Sequence, residues 1–414
     1  MTNETKPALA DLVRAGDAQT EAIRVTDFIW QVNDVSNLYL VNTADGDVMV
    51  NTGFMDNATR NVALMTPKRS GPIRRIILTQ SHADHFGCVP DFADSETTVI
   101  GGPGFNEAWG DMKRLQPFFG PRSKKLWGST LKRGTAPKPA PDIVPDVLVD
   151  RTHSFEQGGR RFELIHAPEG ETVDNLIVWM PDERIAFTGN LVGPVWLSMP
   201  FFCTLRGDKP RAVWNTLKSL EKLKVLGAEI LITGHGEAIC GRERVAADID
   251  RMIGAISFVR DYTIDGMNAG KTVHELMRDV RLPDNLSIGE FHGKTSWAVK
   301  TIWDCYAGWF HYEDGTTELY GVPRSAVNAD LVELSGGAAV LARRAGVHVD
   351  AGRPLEAIHL LDIALGVEPA HSDALAVKRR ALQALLDASG SKNLSETMWL
   401  KSEIAGVEER LGEG

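Results

Sequence analysis

Short β-rich runs bounded by turn residues recur from Ile23 to Thr233, and none follows Gly241. That one-sided distribution restricts the chain to a layered α/β domain followed by a purely helical region. The runs are Ile23 to Gln31, Leu38 to Asn42, Val48 to Asn51, Ile76 to Leu78, Phe162 to Ile165, Leu176 to Met180, Ile185 to Thr188 and Ile230 to Thr233. Between the last two, the pattern from Pro210 to Leu226 predicts a helix with Val213, Trp214, Leu217, Leu220 and Leu223 on one face and Asp208 as its cap. With 414 residues there is room for two cores, and the expected domains are 1–241 and 242–414.

The densest chemistry lies in Thr79-Gln80-Ser81-His82-Ala83-Asp84-His85, directly after the apolar run Ile76-Ile77-Leu78. Two imidazoles and a carboxylate there sit on a loop leaving a buried strand, where a sheet edge can present them to a metal ion. Taken alone, such a segment is as readily a polar turn. Three later residues repeat the placement: Glu171 after one strand, Asn190 after another, and His235 in Thr233-Gly234-His235-Gly236 after a third. Together with His82, Asp84 and His85 they form a candidate metal centre.

A formal charge of −10 argues against general affinity for nucleic acid or an anionic membrane and favours small-molecule chemistry. Cys88, Cys203, Cys240 and Cys305 are scattered, which indicates neither a disulfide framework nor a zinc ribbon. No apolar run is long enough to span a bilayer, and Met1 to Leu12 lacks the character of a secretory signal, so a cytoplasmic location is expected. Between Pro117 and Pro145 a stretch rich in Pro, Lys and Arg, with Phe118, Phe119 and Trp127, reads as an excursion loop or a substrate cover.

In this order the motifs resemble those of the metallo-β-lactamase superfamily, whose fold is an αββα sandwich. Glu171 in a place where most of that superfamily has His, and Thr204-Leu205-Arg206-Gly207, resemble its alkylsulfatase-like branch. The segment Ala298 to Phe310 resembles the start of the alkylsulfatase dimerisation domain, which implies a homodimer. Gly352 to Leu375 resembles a tetratricopeptide-type helix pair. The resemblance implies two zinc ions, one held by Asp84, His85 and His235, the other by Gln80, His82 and Glu171, with Asn190 where a bridging carboxylate is expected. Arg206 would clamp the anionic group of a sulfate ester.

Three positions depart from the family pattern in one direction: Gln80 replaces a histidine, and Asn190 and Asn51 replace aspartates. Amides are weak zinc donors, so the expectation is one tightly bound Zn²⁺ rather than two, with Fe²⁺ or Mn²⁺ also suited to two histidines and a carboxylate. Glu171, released from metal, could then move a proton beside the ion. Trp127 would offer substrate an aromatic face in place of a phenolic hydroxyl. The expected activity is hydrolysis of a small anionic or amphiphilic ester, a sulfate ester first, by a metal-activated water. A single-metal lyase or isomerase with Glu171 as acid and base, and a non-catalytic scaffold, are the competing readings. Trp297, Trp303, Tyr306, Trp309 and Phe310 are expected as core packing, with an oligomer interface or a substrate wall as alternatives.

Overall fold

The computed structural model describes residues 9–131, 138–311 and 315–412, so most of Met1 to Leu12 and part of the Pro117 to Pro145 stretch lie outside the described residues. One sheet has seven strands in sequential order: β1 (Ile23–Arg24), β2 (Ile29–Val32), β3 (Leu38–Val41), β4 (Asp47–Val50), β5 (Ile73–Ile77), β6 (Thr98–Gly101) and β7 (Val147–Leu148). The other has six: β8 (Thr152–Gln157), β9 (Arg160–His166), β10 (Leu176–Met180), β11 (Ile185–Gly189), β12 (Ile230–Thr233) and β13 (Ile239–Cys240), in the order β13-β12-β11-β10-β9-β8. From β4 to β7 neighbouring strands are parallel, as are β11 and β12; the other pairs are antiparallel.

Successive strand side chains point to opposite faces, and here both faces are covered. On β3, Tyr39 and Val41 join the core between the sheets, while Leu38 and Leu40 face a second core with Ala58, Met65, Phe86 and Phe105. On β10, Leu176, Val178 and Met180 enter the inter-sheet core, and Ile177 and Trp179 meet Val213, Leu217, Leu220 and Leu223 of the helix Val213–Leu226. Helix, sheet, sheet, helix is the expected αββα layering.

The strand signal ends at Cys240, as the sequence pattern implied, but the first compact unit continues to Cys305. The stripe Val245, Ile249, Met252, Ile256 and Val259 of the helix Arg242–Asn268, with Val299 and Ile302 of the helix Thr295–Ala307, belongs to the core on the outer face of the second sheet. Burial, not the loss of β signal, therefore sets the unit boundary. The second unit, Tyr306–Gly414, is built from the helices Asn328–Leu334, Ala338–Asp350, Pro354–Val367, Ser372–Ser389 and Leu394–Leu411. Its core alternates small and large residues, Ala342, Ala345, Ala357 and Ala364 beside Leu361, Leu375 and Leu382.

Two local expectations change. The Pro117 to Pro145 stretch opens as a helix, Gln116–Trp127, because Pro117 occupies its first turn, where a missing N–H costs nothing. Asp208 does not cap the helix Val213–Leu226; Glu169 Oε2 instead accepts from Ala212 N at 2.8 Å and Asn215 Nδ2 at 3.0 Å. Of the aromatic stripe, Trp297, Trp303 and Phe310 are partly buried, whereas Tyr306 is 44% and Trp309 75% exposed.

Candidate metal centre

The candidate residues leave their strands on one edge of the sandwich. Asn51 follows β4, Gln80 to His85 follow β5, Glu171 follows β9, Asn190 follows β11 and His235 follows β12, while Ser36 precedes β3. Backbone bonds tie these loops together: Leu176 N donates to Thr79 O at 2.9 Å and Asn37 N to Gly234 O at 2.7 Å across the two sheets, and Gly234 N to Gly189 O at 2.7 Å within the second. Asn51 has φ 58°, a left-handed conformation that asparagine tolerates, and its Oδ1 accepts from Thr79 N at 2.9 Å. Asn51 thus braces the β5 loop, so its amide belongs to the scaffold and not to a weakened ligand set.

In the first half of the site, three donor atoms converge on one hydroxyl. Ser36 Oγ lies 2.5 Å from Asp84 Oδ2, 3.0 Å from His85 Nε2 and 3.4 Å from His235 Nε2. Burial would raise the Asp84 carboxyl, but the charges of His85 and His82 and the bond from Ser36 bring it down to about 2. Burial lowers His85 to about 3 and His235 to about 4, with Asp84 opposing in each case. His85 Nδ1 lies 3.3 Å from Thr79 Oγ1, whose own proton can go to Asn51 Oδ1 at 3.1 Å. That network assigns the His85 proton to Nδ1 and turns the Nε2 lone pair inward, the tautomer a metal ligand needs.

Among the described residues no three His, Cys, Asp or Glu side chains form a closed ligand cluster, and Ser36 Oγ holds the point of convergence. The donor chemistry nonetheless fits one divalent ion: an ionised carboxylate and two buried neutral imidazoles aimed at a common point.

The second half is wired differently. Gln80 Oε1 accepts from Asn190 N at 3.1 Å, which fixes the amide orientation, and Gln80 Nε2 then donates to His82 Nδ1 at 2.8 Å. His82 Nε2 lies 3.4 Å from Asp208 Oδ2 and 3.2 Å from Arg206 Nη2. Arg206 Nη2 is 3.5 Å from the same carboxylate oxygen. Burial would raise Asp208, yet His82, Arg206 and Arg211 hold it well below the usual carboxylate range. Glu171 Oε1 is 2.9 Å from Arg211 Nη2, and Arg211 also donates to Glu171 O and Phe201 O. Burial raises the Glu171 carboxyl above its ordinary range despite Arg211. Its Oε2 and Asn190 Oδ1 are buried without a partner among the described residues.

A cleft of about 260 Å³ opens on this second half, floored by His82, Glu171, Asp208 and Arg211 and walled by Met112 and Phe119. Trp127 lies elsewhere, with its ring centroid 6.3 Å from that of His292, and is not among the cleft residues. The structure thus gathers Asp84, His85 and His235 at one point and Gln80, His82, Glu171, Asn190 and Arg206 around another. Sequence reasoning missed Ser36 and Arg211. Ser36 carried a signal, since it lies two residues before β3 at the same sheet edge; a buried arginine has no local pattern.

Sheets stacked between helices, with histidines and carboxylates collected at one strand edge, define a metal-hydrolase type of scaffold. Residues 32–235 match the metallo-beta-lactamase superfamily, and residues 272–402 match the alkyl sulfatase dimerisation family. A linear primary-alkylsulfatase of Pseudomonas sp. (strain ATCC 19151) is 27% identical over 402 residues, covering 89% of this chain and 74% of its own length. An alkyl/aryl-sulfatase of Saccharomyces cerevisiae is 28% identical over 365 residues, covering 79% of this chain, and the chain spans only 55% of that relative. The solved stereoselective inverting sec-alkylsulfatase Pisa1 from Pseudomonas sp. shares the fold with TM-score 0.82 at 21% identity, over 95% of this chain and 66% of its own. The chain belongs to the alkylsulfatase-like branch of the metallo-β-lactamase superfamily.

Proposed function

We propose that this chain is a metal-dependent hydrolase of sulfate esters that works with one tightly held ion. The observation that carries this reading is the convergence of Asp84 Oδ2, His85 Nε2 and His235 Nε2 on one point, in a chain of this branch. Those three residues would hold the ion, Zn²⁺ first among candidates, with Fe²⁺ and Mn²⁺ compatible with the same donors. When bound, the ion supplies Lewis acidity and lowers the pKa of its water.

Support for one ion comes from how the second half is occupied. Both polar atoms of the Gln80 amide bond to protein, His82 Nδ1 accepts from Gln80, and one Glu171 oxygen is taken by Arg211. A guanidinium already neutralises the carboxylate that a second cation would need. Glu171 Oε2, a cleft residue's oxygen buried without a partner among the described residues, supports a role for Glu171 in taking or giving a proton. The Arg206 guanidinium, which shares Asp208 Oδ2 with His82 beside the cleft, supports a role for Arg206 in meeting an anionic group. Met112, Leu115 and Phe119 offer an apolar wall next to this charged floor, which suits an amphiphilic ester.

The hydrolase reading accords with the alkylsulfatase relatives and displaces the lyase, isomerase and scaffold alternatives. Exposed Trp309 and Tyr306, near the start of the second unit, support a homodimer. No described helix is long and apolar enough to cross a membrane. The decisive experiment pairs elemental analysis of purified protein with release of inorganic sulfate from linear alkyl sulfates. One equivalent of metal and sulfate release that stops on chelation are expected. Two tightly held equivalents would sink the one-ion reading, and absence of sulfate release with every divalent ion would sink the activity.

A further inference from the structure

We infer that Ser36 is a fourth donor of the metal centre, completing the set formed by Asp84, His85 and His235. The inference rests on the one-ion reading above and adds a ligand to it. Its basis is a proton count. A serine hydroxyl has one hydrogen to give, and Ser36 Oγ faces two acceptor atoms, Asp84 Oδ2 and the His85 Nε2 that the Thr79 and Asn51 contacts leave without a proton, with His235 Nε2 3.4 Å away. The 2.5 Å contact assigns that hydrogen to the carboxylate. The His85 Nε2 lone pair is then left pointing at an oxygen that cannot satisfy it, inside a region where Ser36 and His85 are fully buried. A cation at this point would resolve the excess, held by Asp84, His85 and His235, with Ser36 turned from hydrogen donor into oxygen donor.

The surrounding structure holds Ser36 in this place. On its N-terminal side, Asp34 Oδ2 accepts from Phe54 N at 2.7 Å and Asn61 Nδ2 at 2.6 Å, and Asp34 Oδ1 accepts from Val35 N at 2.8 Å. On its C-terminal side, Asn37 N donates to Gly234 O at 2.7 Å and Asn37 Nδ2 to Gly236 O at 2.9 Å. These last two bonds tie Ser36 to the turn that carries His235. With both neighbours pinned, the backbone of Ser36 cannot withdraw. Rotation about χ1 between staggered wells is the freedom left, enough to move Oγ off the centre and keep it beside an ion.

The test is metal binding by protein stripped with a chelator, read by competition against a chromophoric chelator and by the visible absorption of bound Co²⁺. Ser36→Ala is expected to weaken binding by about 10–100-fold, the range seen when a supporting group of a metal site is lost, and to change the Co²⁺ spectrum. Ser36→Cys is expected to add a thiolate-to-metal charge-transfer band, because sulfur would enter the same position. Asp84→Asn and His235→Ala are measured alongside, with circular dichroism confirming the fold of every variant. If those two lose metal while Ser36→Ala binds with unchanged affinity and spectrum, Ser36 is no ligand and the one-ion reading stands. If Asp84→Asn and His235→Ala also bind as the parent does, the one-ion reading itself fails.

Discussion

The Glu171 carboxylate lies 2.9 Å from the Arg211 guanidinium, and both side chains are almost wholly buried, at 5% and 4% exposure. A buried pair of this kind is costly to break from one side only, since the remaining charge has no water to turn to. Arg211→Met is therefore expected to destabilise the protein by about 3–5 kcal/mol. Adding Glu171→Gln should recover a large part of that loss, and urea unfolding of the single and double variants measures it. Equal stability of the parent and Arg211→Met would show that the pair is not what organises this half of the site.

Acid should weaken the metal-free fold through the imidazoles. His85 and His235 titrate at about 3 and about 4 in the folded chain against an ordinary 6.5, so the unfolded chain binds more protons between those values. Stability consequently rises with pH from about 3 to 6.5 and then levels off. Asp84, lowered from 3.8 to about 2, acts in the same direction over its lower window. Glu171, raised by burial, runs the other way: its contribution is present below its ordinary value and is lost as pH climbs through its folded value. Thermal unfolding of chelated protein from pH 4 to 8 checks the slope, and His235→Gln should flatten it.

Restoring stronger donors should change ion count. Gln80→His with Asn190→Asp replaces two amides by the residue types that bind zinc well, and elemental analysis should move from one equivalent toward two. No change in the ratio would mean that Arg211, not the amides, closes the second position.

Gln80 also has a supporting role that a nonpolar replacement exposes. Gln80→Leu strands the buried Asn190 N–H and frees the His82 ring, which is expected to cost about 1–3 kcal/mol in a denaturant titration. Sulfate release should fall as well, because His82 would lose the Gln80 contact that holds its ring.

At the surface, Trp309 is 75% exposed. If it lies in a homodimer interface, Trp309→Ser should raise the dimer dissociation constant by about tenfold or more, as removal of an aromatic anchor does. Light scattering across a dilution series reads the shift, and a parent protein that is monomeric throughout would remove the dimer.

Where apolar runs are continuous, local sequence predicted structure closely: Leu176–Met180 and Ile230–Thr233 are strands over the expected residues. Ile23 to Gln31 is split into two strands because Thr26 Oγ1 accepts from Phe28 N and Ile29 N, closing a turn inside the run. The strand Thr152–Gln157 escaped notice since its outer positions are polar and exposed, leaving too few apolar residues to mark an alternation.

The sequence by itself determined a layered α/β domain followed by helices, the strand-end positions of His82, Asp84, His85, Glu171, Asn190 and His235, and the neutral character of Gln80 and Asn190. These follow from periodicity and side-chain chemistry, which are local. Tertiary structure alone decided that Ser36 stands among Asp84, His85 and His235, that Arg211 and not a solvated loop meets Glu171, and that Asp208 serves His82 rather than a helix end. Each of these contacts joins residues far apart in the chain, and each partner was chosen by burial: a charge or lone pair removed from water must find its complement wherever the fold brings one.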